Sequence, residues 1–190
     1  MWVIERFARR LPRNEAVAFV NEHLKNKNLI KHCLASEAVM RALARHFGEN
    51  EEEWGLAGLL HDADVELTTA SEQGKKVGDM LADKITPAMR QAMAAHNTAT
   101  GTAPSSRFDY ALTAGETITG LIVASTLVLP EKKPSKLTKK SVVKRFWEKR
   151  FAAGADRSLI MLCEKIAMKL EDFSELCLEA MQEVAIELEL

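Results

Sequence analysis

The segment 56-LAGLLHDADVE-66 is almost wholly apolar up to His61 and then turns acidic at Asp62 and Asp64. Two further histidines share that setting. His32 lies on the line Leu29, His32, Ser36, Val39 and Leu43, and His96 follows Met89 and Met93. This is the three-and-four spacing of a helix face turned toward a core. His61 itself follows Trp54 and Ala57, whereas His23 and His46 stand among charged and amide residues and read as solvated. A single inward histidine is ordinarily a core residue satisfied by one hydrogen bond. Three of them beside Asp62 point elsewhere, because burying ionisable groups separately is costly and one divalent cation compensates them together. Imidazole and carboxylate are ligands for Mn, Fe, Ni, Co or Zn.

Successive helix residues project about 100° apart, so His61 and Asp62 face one target only if their helix ends there. Asp64, just beyond, is placed to hold a ligand by hydrogen bonding rather than to ligate.

Helical periodicity dominates the elements that must position these side chains, and no stretch alternates long enough for a strand. A short helix is expected over Trp2 to Arg10, and a second from Asn14, acting as cap, to Leu24. A third runs from Asn28 to Phe47 with Gly48 as its stop. A fourth, capped by Asn50, carries acids in its first turn and runs apolar on all sides to His61, the mark of a central helix. A weak helix covers 73–83, and Thr86-Pro87 opens another that ends near Asn97. A long helix follows from Asp109 to about Leu129, with Gly115 or Gly120 as kink points. Two or three more close the chain. The reading is all-α, a single-domain bundle of roughly nine helices, with a core over 14–129, a seam near 130–138 and a C-terminal extension over 138–190.

The 190 residues, 47% hydrophobic and 28% charged with a formal net charge of −1, suit one soluble domain and no generic polyanion binder. The opening MWVIERFARR interrupts its apolar pattern with charge, so no export signal is expected. The run 121-LIVASTLVL-129 is too short for a membrane span. Cys33, Cys163 and Cys177 form no CxxC pair and sit on apolar faces, which fits a reducing, cytoplasmic setting.

The order of blocks NLIKHCLASEAVMRALA, GLAGLLHDADVE, MAAHN and a carboxylate on a later helix resembles the HD-domain superfamily of metal-dependent phosphohydrolases. The likeness covers most of the chain. It extends through TAGETITGLIVASTLVLPEKK and FAAGADR, and is nearest to the compact HDIG-type hydrolases of bacteria and archaea. The resemblance implies an HD-domain-like helical fold in which His32, His61 and Asp62 ligate a divalent transition metal. His96 matches a further histidine of members that bind two ions. The closing family ligand is an aspartate, where this chain has Glu116. Two-ion members often carry a histidine where this chain has Gln73, a poor transition-metal ligand, so one ion is expected.

Such an ion would activate water near neutral pH, with Asp62 and His61 as the catalytic pair and Asp62 orienting the water or taking its proton. A phosphoester is the fitting electrophile. The stretch EKKPSKLTKKSVVKRFWEKR over 131–150 carries a local net charge of +7, and the segment from Ser158 onward carries −6. Basic residues around Phe146 and Trp147 suit a nucleotide, by charge on phosphate and stacking on base. Lys140, Lys144, Lys149 and Arg157 are the candidate substrate contacts. An amphipathic helix with solvated charges explains the same stretch equally well. The leading expectation is a metal-dependent phosphohydrolase acting on a small phosphorylated molecule, a nucleotide by preference. The alternative is a non-catalytic nucleotide-sensing module with a degenerate metal site. Binding to nucleic acid through the basic stretch ranks last, since no recognition motif accompanies it.

Overall fold

Asn50 and Thr86 do what their sequence positions require, and the fold is organised by where such caps start and stop its helices. In the computed structural model, which describes residues 11–190, ten α-helices occur among the described residues and no strand. They are α1 (Arg13–His23), α2 (Lys27–Phe47), α3 (Glu51–Leu60), α4 (Lys75–Met80) and α5 (Pro87–Ala95). The remainder are α6 (Arg107–Leu127), α7 (Lys139–Trp147), α8 (Arg157–Ile160), α9 (Leu170–Glu183) and α10 (Ala185–Leu188). The helix expected over Trp2 to Arg10 lies outside the described residues.

Asn50 accepts from the Glu53 amide to start α3, and Thr86 accepts from the Met89 amide to start α5 with Pro87 at its first position. Gly48 ends α2 in the left-handed region at φ 68°. Asn14 does not cap α1; the helix begins one residue earlier, after Pro12 in extended conformation. The long helix α6 is unbroken across Gly115 and Gly120 and opens with a capping box, Ser106 and Asp109 each bonding the other's backbone amide.

Helices α2, α3 and α6 form the frame of the site. α3 is buried along Trp54–Leu60, as its uniformly apolar sequence predicts. Its approach to α2 is close at Gly58, where a Cβ would stand 2.5 Å from the Ser36 carbonyl oxygen. Only glycine allows the two backbones that near. Trp54 stacks on Phe108 with centroids 4.9 Å apart, which ties α3 to the first turn of α6.

α6 packs against α2, α3 and α5, and also against α7, α8 and α9. The buried apolar cluster is continuous from Leu11 to Leu188, so the seam expected near 130–138 does not divide it. The C-terminal helices share one core with the rest. No helix among the described residues is long and apolar enough to cross a membrane.

Candidate metal centre

α3 stops at Leu60, His61 is its C-terminal cap residue, and a run of turns carries the chain through Asp62 and Asp64. Because the helix ends there, the two neighbouring side chains converge: His61 Nε2 lies 3.5 Å from Asp62 Oδ2. His32 comes in from α2, with Nε2 at 3.1 Å from His61 Nε2 and 3.6 Å from Asp62 Oδ2. Glu116 reaches in from α6, placing Oε2 at 3.4 Å from His32 Nε2. His96, the cap residue of α5, sets Nε2 at 3.2 Å from Asp62 Oδ1. The five expected side chains thus meet at one place. In each of two overlapping sets, His32–His61–Glu116 and His61–Asp62–His96, the potential ligand atoms lie within 4.8 Å of one another.

The other ring nitrogens decide which face each imidazole offers. His61 Nδ1 donates to the Gly58 carbonyl at 2.8 Å and His96 Nδ1 donates to the Met93 carbonyl at 2.5 Å. A carbonyl only accepts, so both Nδ1 atoms carry a proton. Thr119 donates its hydroxyl to the Glu116 carbonyl at 2.7 Å, so it accepts from His32 Nδ1 at 3.0 Å. All three Nε2 atoms therefore point inward, as metal-ligating histidines held by a hydrogen bond on the far nitrogen do.

This arrangement leaves the Nε2 atoms of His32 and His61 facing each other at 3.1 Å. Two neutral imidazoles so disposed aim lone pairs at one point, which only a proton or a cation relieves. Atoms bound to one ion at roughly 2.0–2.2 Å stand roughly 3–4 Å from each other, the spacing found between these nitrogens and carboxylates. A metal ion fits the donor set.

Burial lowers the pKa of His61 to about 4, so it stays neutral. Burial likewise acts to lower His32 and His96, but Glu116 and Asp62 outweigh it for His32, and Asp62 outweighs it for His96; both end raised. Burial pushes Asp62 and Glu116 upward, yet the surrounding histidines hold both carboxyls below their ordinary values. Both carboxylates are ionised and in place.

Two amides complete the shell. Gln73, expected to stand near the site without ligating, donates Nε2 to Asp62 Oδ1 at 2.5 Å. Its own Oε1 accepts from Asn97 Nδ2 at 3.0 Å, and Asn97 also donates to the Ala70 carbonyl at 2.8 Å. Among the described residues Asp64 makes its side-chain hydrogen bonds to backbone amides and not to an imidazole. Fully buried, it accepts the Gly74 amide at 2.9 Å and the Val77 amide at 2.8 Å, fixing the turn that carries Gln73. Thr117 donates to Glu116 Oε1. Thr119 and Asn97 escape a reading of histidines alone, although each has a signal: Thr119 stands three residues from Glu116, and Asn97 follows His96.

The basic stretch is placed differently. Lys140 and Lys144 project from α7 into solvent and line neither the cleft at the metal centre nor the groove beside it. Lys149 borders a recess with Phe146, Trp147 and Arg157 that meets the cleft only through Gly154, Ala155 and Asp156. Arg157 has a structural task instead of the expected phosphate contact. Its Nε bonds the Phe146 carbonyl, Nη1 those of Ala152 and Ala155, and Nη2 those of Arg145 and Phe151, at 2.5–3.3 Å. All five guanidinium donors are engaged. They close the C-terminal end of α7, whose last carbonyls have no partner in the helix.

No protein-family model matches the chain, and no curated protein or solved structure matches it.

Proposed function

We propose that the protein is a metal-dependent phosphohydrolase acting on a small phosphate ester. The observation that carries this reading is the convergence of His32, His61, Asp62 and Glu116, with every imidazole held by Nδ1 and every Nε2 turned inward. The order of these residues along the chain is the one that resembles the HD-domain superfamily, and the same resemblance supports hydrolysis of a phosphoester.

His32, His61, Asp62 and Glu116 would hold the ion. When bound, it supplies Lewis-acid activation of water and offsets charge on the phosphoryl oxygens. Asp62 is the residue that orients the attacking water: Gln73 fixes Oδ1, and Oδ2 faces the open side of His32. His96, its Nδ1–H already held by Met93, donates from Nε2 to the same carboxylate as the imidazolium that Asp62 favours, and keeps it from turning away. His32 is the most exposed member, at 24% of its side chain, and so marks where substrate enters.

Protein purified without a metal-binding tag should carry a transition metal by elemental analysis. It should release phosphate from at least one ester of a panel that includes nucleotides. Asp62→Ala should lower that turnover by at least about 1,000-fold. Undiminished turnover in Asp62→Ala removes the mechanism. The engagement of Asp62 Oδ1 by Gln73 favours one second reading, a non-catalytic nucleotide-sensing module. Metal-independent nucleotide binding without turnover under any divalent ion would select it.

A further inference from the structure

The metal centre opens onto a cleft of about 400 Å³ whose walls include Glu116, Thr117, Gly154 and Asp156. Among the described residues lining it none is a lysine or arginine, and two are acids. A second space, a groove of about 460 Å³, shares His32 and Gly120 with the cleft and runs along α6 past Val123 and Ala124 to Leu127. Its far wall is Leu188 and Leu190. No atom of the described residues stands within 4 Å of the point where a Cβ would sit on Gly120, so nothing described there walls one space off from the other. Among the described residues lining the groove the one lysine or arginine is Lys31, and it is paired with Glu189 at 2.6 Å.

Resting on the phosphohydrolase reading, we infer that the groove receives the organic part of the substrate and that the substrate is a phosphate monoester of an apolar alcohol. A nucleoside polyphosphate needs cations for its additional phosphates, and among the described residues lining the cleft there is no lysine or arginine, while Asp156 repels those phosphates. An apolar chain leaving the phosphorus past His32 and Gly120 meets Ala124, Val123 and Leu127 directly. The recess at Trp147 and Lys149 is the less suitable seat, because it includes no candidate ligand and lies across the Gly154–Asp156 wall. Hydrolysis consumes one water, breaks the ester P–O bond and yields the alcohol and inorganic phosphate, with the water's proton passing to the departing alkoxide.

The test compares 1-octyl phosphate, methyl phosphate and ATP on the manganese-loaded full chain. The ratio of kcat/KM for octyl over methyl phosphate should be about 100-fold, as expected when several methylenes leave water, and ATP should be poorer than the octyl ester. Leu127→Glu, at a half-exposed position that folding tolerates, should bring that ratio toward one. Titration calorimetry with 1-octylphosphonate, which is not hydrolysed, should show a negative heat-capacity change absent with methylphosphonate. Release of phosphate with no chain-length preference, or with ATP preferred, overturns the groove assignment alone. The same holds if Leu127→Glu alters oligomeric state and not the ratio, since the groove is then a contact between copies. No release from any ester, with octylphosphonate still bound, instead overturns the hydrolase reading.

Discussion

Gln73 and Asp62 are joined at 2.5 Å, from the side-chain amide to Oδ1, while the other carboxylate oxygen faces His32 and His61. The amide therefore assigns the two oxygens of Asp62 different tasks. One anchors and one is free to ligate. Gln73→Leu removes the anchor without removing a ligand, so metal affinity should fall about ten-fold, read by competition with a chromophoric chelator. An unchanged affinity would show that His96 and packing orient Asp62 without the amide.

Gly58 is the point where α3 touches the α2 backbone, and its carbonyl also accepts from His61 Nδ1. A methyl group there meets the backbone at Ser36, which cannot step aside as a flexible side chain would. Gly58→Ala should cost about 1–3 kcal/mol of stability in urea unfolding, and should weaken metal binding as well, because the helices bearing His32 and His61 are pushed apart.

Arg157 closes the loop between α7 and α8 by bonding five carbonyls. Lysine has three donors on a single nitrogen and cannot reproduce that fan. Arg157→Lys should lower stability by about 2 kcal/mol, measured by urea unfolding. Hydrogen exchange at the amides of 148–156 should accelerate. Loss confined to substrate affinity, with unfolding unchanged, would return Arg157 to the role of a phosphate contact.

Cys33, Cys163 and Cys177 are buried free thiols. Burial pushes the Cys163 thiol to about 11 from an ordinary 9.0. Between those values the folded thiol keeps a proton that the unfolded one has lost, so this group's contribution to stability is present below about 9.0 and fades as pH rises toward about 11. A disulfide reagent at pH 8 should leave all three thiols unmodified in the folded protein and titrate all three in denaturant. Rapid labelling of any one in the native state would contradict its burial.

Much of the fold was legible because helix limits are written in local chemistry. Asn50, Thr86-Pro87 and Gly48 punctuate α3, α5 and α2 through bonds made within four residues. Asn14 misled because Pro12 already sets the extended entry that a cap provides. The inward histidines were legible from their spacing, since a face shared with Val39 and Leu43 or with Met93 can only turn toward the core. The tasks of Arg157 and Asp64 were not. Both depend on which amides and carbonyls a folded loop brings within reach, and charge in a sequence does not distinguish a donor facing solvent from one facing backbone. The groove beside His32 was hidden for the same reason: residues more than 150 positions apart, such as Lys31 and Leu188, form its walls.

The backbone contact at Gly58 also bears on how the centre can adapt. His32 and His61 ride on two helices that have no slack between them, so their nitrogens form a fixed jaw. Glu116 belongs to α6 and reaches in with a long side chain from the opposite wall. With Asp62 tethered by Gln73 as well, accommodation to a larger or smaller cation falls to the fourth side chain, which makes position 116 the adjustable side of a vice whose other faces cannot travel.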